Sequence, residues 1–506
     1  MSGEWRDPPR VLGEGGELED VSDSILQGTL AMVVRNSAFV LGAQVLMRLM
    51  GFAFNVYIVR KLGAAHFGQY AAVMAYVAMF GIFTDLGMAP YMVREMAEDR
   101  ARTASLLPNS IAVRSLLSLL VIAIAPLVAL GLGKDETFIL GLLLASAGQL
   151  LWAFQGPFSS ALISRERLDY DAMMEVVERF VFWLLGALLL VLGKGFIGLI
   201  IASLAGVGAR AIGSAWMLFK RLGVGGLELN PRRWVSLVRG ALPFGVSSIA
   251  YVIMRRFDTL LMSFILTDRD VGLYNVPITF MGMLLLVATS VGQSVYPSMV
   301  RANSLDPAAL SAMMHRVVKY LLLLALPITV GGVILADKII LLLYSQEFAG
   351  SIPILRVMLW ALPSLFLLEI VGKLANTLHL EKGLARVTVI NAGITVGLNI
   401  VMIPTLGILG AAIALVAGRA IRLIQTMFLI GGERLSAYRL GELPKVFLAA
   451  GIMGLGVYLL RTTPLIMAMS AGGFIYILLL FALRVVNWDE IRRLMALLPA
   501  KRGAQA

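Results

Sequence analysis

Fourteen apolar runs, each long enough for a helix to cross a lipid bilayer, leave this chain little choice of fold. They fall near residues 34–59, 68–93, 105–131, 137–161, 172–192, 196–219, 240–265, 272–298, 314–336, 353–378, 384–403, 407–430, 443–460 and 464–484. A helix of roughly 20 apolar residues matches the hydrocarbon core. The runs are too long and too evenly apolar for barrel strands, which alternate polar and apolar residues. With 59% hydrophobic and 15% charged residues over 506 positions, the solvent for most of this surface is lipid. The expected fold class is an all-α polytopic membrane protein with about 14 transmembrane helices.

The same composition excludes several functions. The net charge of +12 could suggest nucleic acid, but the basic residues are scattered over short loops and form no basic domain. There is no cysteine, so thiol chemistry, disulfides and Cys-ligated metal are absent, and His66, His315 and His379 lack metal-ligand spacing. No P-loop is present, so ATP hydrolysis on this chain is not supported. No cofactor and no metal are expected. The first thirty residues lack the basic start and cleavage site of a signal peptide and read as a cytosolic tail.

Lys and Arg set the orientation. With alternating spans and the N-terminus in the cytoplasm, 26 basic loop residues fall on the cytoplasmic side and 7 on the other, so both termini are expected inside. The connection KRLGVGGLELNPRRWVSLVR, 220–239, reads as a cytosolic linker leading into a short interfacial helix. It divides a repeat. LGAAHFGQY at 62–70 is echoed by LTDRDVGLY at 266–274, and PYMVR at 90–94 by PSMVR at 297–301. A duplicated membrane unit with buried charge at matching depths is transporter architecture. Trp488, Ile491, Met495 and Leu498 at helical spacing beside Arg492 and Arg493 fit an amphipathic helix on an anionic leaflet.

An ionised group within a span costs a few kcal/mol unless it is paired or wet, so each one is a candidate functional residue. In the first span Ser37, Gln44, Arg48, Gly51 and Asn55 share one face. Arg48 either lines a cavity or pairs with a carbonyl or with Asp85. In the seventh span Ser247, Tyr251, Arg255 and Asp258 lie together, as a site or as an internal pair at i, i+3. Arg256 points away from that stripe. Arg419 and Arg422 are one turn apart with no carboxylate in reach on their helix, which favours an anionic substrate or a partner on another helix, and Arg210 is similar. Glu369 with Lys373 and Glu175 with Arg179 are expected to neutralise each other, and Arg114 to snorkel to a span end. The deep groups sum to a positive field, which concentrates anions, and the Arg fork suits phosphate or pyrophosphate. The candidate substrate-binding set is Arg48, Asn55, Arg210, Tyr251, Arg255, Arg419 and Arg422. Asp85 and Asp258 are the candidate proton or sodium sites.

Arg60-Lys61-Leu62-Gly63, Phe67-Gly68-Gln69-Tyr70, Asp85-Leu86-Gly87 and Val93-Arg94-Glu95 resemble the first two helices of polysaccharide biosynthesis membrane proteins. These are the O-antigen type flippases of the multidrug/oligosaccharidyl-lipid/polysaccharide exporter superfamily. The resemblance implies two six-helix bundles related by an internal repeat, plus two C-terminal helices, and alternating access around a central cavity. It implies a non-enzymatic exporter that moves a polyprenyl-pyrophosphate-linked oligosaccharide to the outer leaflet of a bacterial inner membrane, alongside other polysaccharide assembly proteins. The expected division is a cytosolic polar tail (1–30), an N-terminal bundle (31–220), a linker (221–239), a C-terminal bundle (240–431), two further spans (432–486) and an amphipathic tail (487–506). Competing readings are a peptidoglycan-precursor flippase, which also wants a cationic cavity, and a drug/cation antiporter, which wants an acidic one. A membrane glycosyltransferase or polymerase would want a larger outer loop.

Overall fold

The computed structural model describes the backbone at residues 17–305, 307–431 and 443–486, and side chains from 46 onward within these, save 247, 305, 307 and 308. The tail 1–16, the stretch 432–442, the expected amphipathic helix at 487–506, and the side chains of Ser37, Gln44 and Ser247 lie outside the described residues. The chain divides into two units, 1–53 and 54–506.

The described residues are helical, with no strand among them. The order is α1 (Glu17–Asp85), α2 (Met88–Glu98), α3 (Thr103–Gly131), α4 (Glu136–Ile163), α5 (Leu168–Val191), α6 (Gly195–Trp216), α7 (Trp234–Ile265), α8 (Asp268–Leu305), α9 (Pro307–Ile334), α10 (Ala336–Tyr344), α11 (Ser351–Met358), α12 (Leu362–Thr377), α13 (Glu381–Ile430), α14 (Leu443–Leu459) and α15 (Leu465–Ala482). The helix α1 begins inside the segment expected to be a polar tail.

Two helices are each two crossings. At 1.5 Å per residue, the 50 residues of α13 would be far longer than any bilayer is thick. The chain hinges at Gly407 in α13 and at Gly63 in α1, both with positive φ. Nine helices among the described residues are long and apolar enough to cross, or ten with the bent α7. Splitting the two hinged helices, and adding the charge-bearing α5 and the 17-residue α14, accounts for the fourteen expected runs. The helices α11 and α12 are one crossing joined by a 3₁₀ turn at Leu359–Ala361. Beyond the linker, Pro231–Val246 meets Ser248–Ile265 at 56°, near Pro243, Gly245 and the Ser247–Ser248 pair, residue types that loosen a helix. The expected interfacial helix is thus the first part of α7 and runs on to Val246. Asn109 fastens the linker at three points. Asn109 donates to the Glu228 carbonyl (2.8 Å), and its Oδ1 accepts from Asn230 N (2.8 Å) and Trp234 Nε1 (3.0 Å).

The repeat seen in the sequence meets itself in space. A Cβ on Gly68 would overlap the Asp268 carbonyl, and one on Gly272 would overlap the Ala64 carbonyl. Ala64 and Asp268 are equivalent in the repeat, as are Gly68 and Gly272, so the crossing is two-fold symmetric at the level of the motif. Small residues spaced by four let helix backbones touch in this way. Polar links flank the crossing: Gln69 Nε2 donates to Asp268 (3.0 Å), Ala64 N to Glu347 (2.6 Å), and Arg60 to the Leu342 and Leu343 carbonyls. About 28 Å farther along the helix, the halves touch again, where a Cβ on Gly87 would strike Gly245 and one on Gly245 would strike the Leu86 carbonyl.

Gly68→Val should force α1 and α8 apart and cost roughly 1–3 kcal/mol, as overpacking does. Thermal unfolding in detergent checks this, and an unchanged midpoint would mean that the backbones do not touch there.

Candidate substrate site

Among the anticipated charges, the structure separates those neutralised within the protein from those left over. Asp85 ends α1, where Leu86 and Gly87 take positive φ values of 47° and 83°. Its Oδ2 accepts from the Gly87 N–H at 3.2 Å, which fixes the break between α1 and α2. Arg114 of α3 contacts its Oδ1 at 2.9 Å, with only 7% of the Arg114 side chain exposed. Arg114 therefore does not snorkel, contrary to the sequence expectation. It is buried because a carboxylate on the neighbouring helix holds it there.

Arg210 of α6 lies between two carboxylates of α5, with Nη2 at 3.1 Å from Asp171 and Nη1 at 2.9 Å from Glu178. Of the two readings open for it from the sequence, an anionic ligand or a partner on another helix, the structure shows the second. Glu175 and Arg179 pair as expected. Glu369 and Lys373 form no pair among the described residues. Lys373 stands over the Tyr296 ring at 5.5 Å, and Glu369 packs on Gly292.

The remaining charges gather where α7, α8 and the second part of α13 meet. Asp258 is buried, and its Oδ2 accepts a 2.6 Å hydrogen bond from the Tyr274 hydroxyl. Its Oδ1 accepts from the Thr259 N–H, also at 2.6 Å. Arg256 and Arg419 lie within electrostatic reach of Asp258. Arg419 is also in reach of Tyr251, Arg255 and Arg422. Arg255 donates to the Tyr251 hydroxyl at 3.1 Å, and both side chains are exposed, while Arg419 and Arg422 are half-buried. Arg255 does not form the i, i+3 pair with Asp258, because Tyr274 and Thr259 occupy that carboxylate. Arg256 faces Tyr70, the repeat counterpart of Tyr274. Two guanidiniums, Arg256 and Arg419, thus face one carboxylate, and Arg255 and Arg422 stand beside Arg419. An exposed guanidinium midway along a crossing is costly against lipid unless it is paired or wet, which makes Arg255 a candidate for contact with a ligand.

Asn55 of α1 adjoins Phe54, which packs on Phe182 and Trp183 of α5. Its Oδ1 is buried without a hydrogen-bond partner among the described residues. Arg48 belongs to the first unit, whereas the arginine cluster is built entirely from the second. Tyr274 as the partner of Asp258 escaped sequence reasoning, although its echo of Tyr70 had marked it. Nothing in the sequence marked Arg114 as the partner of Asp85.

A family model described as polysaccharide biosynthesis protein matches residues 33–303, more than half of the chain. The chain belongs to that family. Among curated relatives, a "Probable flippase AglR" of Haloferax volcanii is 25% identical over 76% of this chain and 80% of its own length. A "Probable low-salt glycan biosynthesis flippase Agl15" of the same organism is 23% identical over 70% and 74%. Among solved structures, the lipid II flippase MurJ in an inward closed conformation superposes with a TM-score of 0.74 at 16% identity, covering 89% of this chain and 99% of that one. An inward-facing multidrug resistance MATE transporter of the MOP superfamily gives 0.56, covering 78% and 95%. This likeness establishes the fold, a multi-pass membrane protein of two six-helix bundles with two further C-terminal helices.

Arg210→Gln should leave Asp171 and Glu178 without their counter-charge and cost about 1.5–3 kcal/mol. Arg255→Gln, on an exposed side chain, should leave the unfolding midpoint unchanged. Equal midpoints for the two variants would erase the distinction drawn here between neutralised and free arginines.

Proposed function

We propose that this protein is a flippase that carries a polyprenyl-pyrophosphate-linked oligosaccharide from the inner to the outer leaflet of the cytoplasmic membrane for cell-surface polysaccharide synthesis. The observation that carries this reading is the net positive cluster of exposed Arg255 and half-buried Arg256, Arg419 and Arg422, with Asp258 as its one acid. A guanidinium fork engages phosphate oxygens in pairs. Arg255, Arg419 and Arg422 would hold the pyrophosphate, with Tyr251 orienting Arg255. Asn55 would add a contact from α1, and Arg210, neutralised by its two carboxylates, would hold α6 to α5 rather than touch the substrate. The family and the names of the relatives support a glycan lipid over an organic cation, which would need an acidic cavity. The likeness to the MurJ fold keeps a peptidoglycan-precursor lipid as the second reading. The relatives' names as flippases support a transporter over an enzyme.

Alternating access would work the two glycine contacts in turn. One end opens when Gly68 leaves Gly272, the other when Gly87 leaves Gly245. Bundles at 31–220 and 240–431 would move about the linker at 221–239, with 432–486 as an appended pair of spans. The charge bias of the loops supports both termini in the cytoplasm. Asp258 is the better placed of the two candidate coupling acids. It bonds to Tyr274 and faces two arginines, so taking up a proton or sodium would change the charge that the substrate meets. Asp85, held by Arg114, would set the α1–α2 break. Other polysaccharide assembly proteins would supply and receive the lipid.

The test is reconstitution in liposomes with a labelled polyprenyl-pyrophosphate oligosaccharide, and organic-cation uptake measured in parallel. Flipping of the glycan lipid is expected, with at least a tenfold loss in Arg255→Ala, about what removing one charge-assisted contact costs. Cation uptake without flipping would overturn the reading. In the same vesicles Asp258→Asn should abolish any dependence on a proton or sodium gradient. An undiminished dependence would remove Asp258 from coupling.

A further inference from the structure

Where α3 passes the first part of α7, an apolar cleft of about 380 Å³ remains between the two halves of the chain. Leu86, Leu116 and Leu117 form one wall, and Trp234, Val238 and Leu242 the other. Leu116 is 52% exposed and Leu242 45%, so the cleft opens sideways to whatever surrounds the helices, and in a membrane protein that is lipid. Its volume falls in the range of small-ligand pockets and is far too small for another helix. One charged residue lines it. Arg239 is exposed and has no ion pair or hydrogen bond among the described residues.

The depth of the cleft follows from the chain around it. The polar linker ends in the 3₁₀ turn Pro231–Arg233, and Arg239 comes about 9 Å of helix later. Because Pro231–Val246 runs at 56° to the crossing part of α7, it lies oblique to the membrane when the rest crosses. Apolar side chains below and a guanidinium at the rim, at the level where tail gives way to headgroup, are the recognition pattern for a single anionic lipid. Arg239 stands sixteen residues before Arg255, so this is a site separate from the arginine cluster.

We propose that the cleft binds one acyl chain of an anionic phospholipid, with its headgroup phosphate on Arg239. The occupant would lie against Leu86, the residue before the Gly87–Gly245 contact, and so would brace that contact. The test uses the full-length protein in nanodiscs containing phospholipids with brominated acyl chains, which quench nearby tryptophan. Trp234 lines the cleft, and the chain has seven tryptophans, so its share is isolated by difference against Trp234→Phe. Brominated phosphatidylglycerol should quench Trp234 at roughly fivefold lower mole fraction than brominated phosphatidylcholine, the preference that one arginine confers at an anionic surface. Arg239→Gln should erase that preference. Equal quenching by the two lipids, or an unchanged preference in Arg239→Gln, would overturn the proposal. So would displacement of the quencher by equimolar polyprenyl pyrophosphate, which would assign the cleft to the transported lipid. None of these readouts measures transport, so the outcome is independent of the flippase reading.

Discussion

The Asp268 carbonyl occupies the space where residue 68 would carry a Cβ, and the Ala64 carbonyl does the same at residue 272. Much of the molecule is arranged around that pair of contacts. In lipid, helices gain little from burying apolar surface against one another, because the tails are equally apolar. What joins the two halves must be close backbone packing and polar links. Only glycine permits the first, and the flanking bonds of Gln69, Ala64 and Arg60 supply the second. The Gly87–Gly245 contact applies the same solution farther along α1 and α2. Two narrow contacts can part in turn in a way that one broad interface cannot.

Charge is partitioned with comparable economy. Two deep arginines are neutralised internally: Arg114 by Asp85, Arg210 by Asp171 and Glu178. These pairs tie α3 to the α1–α2 break and α6 to α5, so they act as struts. The cluster around Asp258 differs in kind, since one carboxylate cannot satisfy Arg256, Arg419 and the exposed Arg255 together, and that carboxylate is already bonded to Tyr274 and Thr259. A surplus of positive charge held in place by the fold, on side chains that remain accessible, favours an anionic ligand.

The fold was legible in the sequence because a spanning helix writes its length directly into the chain, and because the motif around Gly68 recurs around Gly272. The cluster of Tyr251, Arg255 and Asp258 was legible too, since one helical face places those residues together. What sequence could not give was pairing between helices. Asp85 and Arg114 are on different spans, and so are Arg210 and its acids, so a helical wheel sees each as alone. The same limit hid Tyr274 as the partner of Asp258. Counting charges along single helices missed that Asp85 holds Arg114 inside the protein, and could not name the acids that hold Arg210.

The symmetry of the central crossing breaks at its caps. In the second copy, Thr267 and Asp270 cap α8 reciprocally: Asp270 N donates to the Thr267 hydroxyl, and Thr267 N donates to the Asp270 carboxylate. The first copy has Gly63 at the matching position and no side chain to do this. Its orphan N–H at Ala64 is taken by Glu347, which belongs to the other half of the chain. Parting the halves at this end would therefore leave the second copy capped and strip the cap from the first. A helix N-terminus needs its free N–H groups satisfied, so opening at this end uncaps one helix as well as breaking the bonds of Gln69 and Arg60. The duplication supplied the shape of the contact, and Gly63 with Glu347 made one side of it conditional on closure.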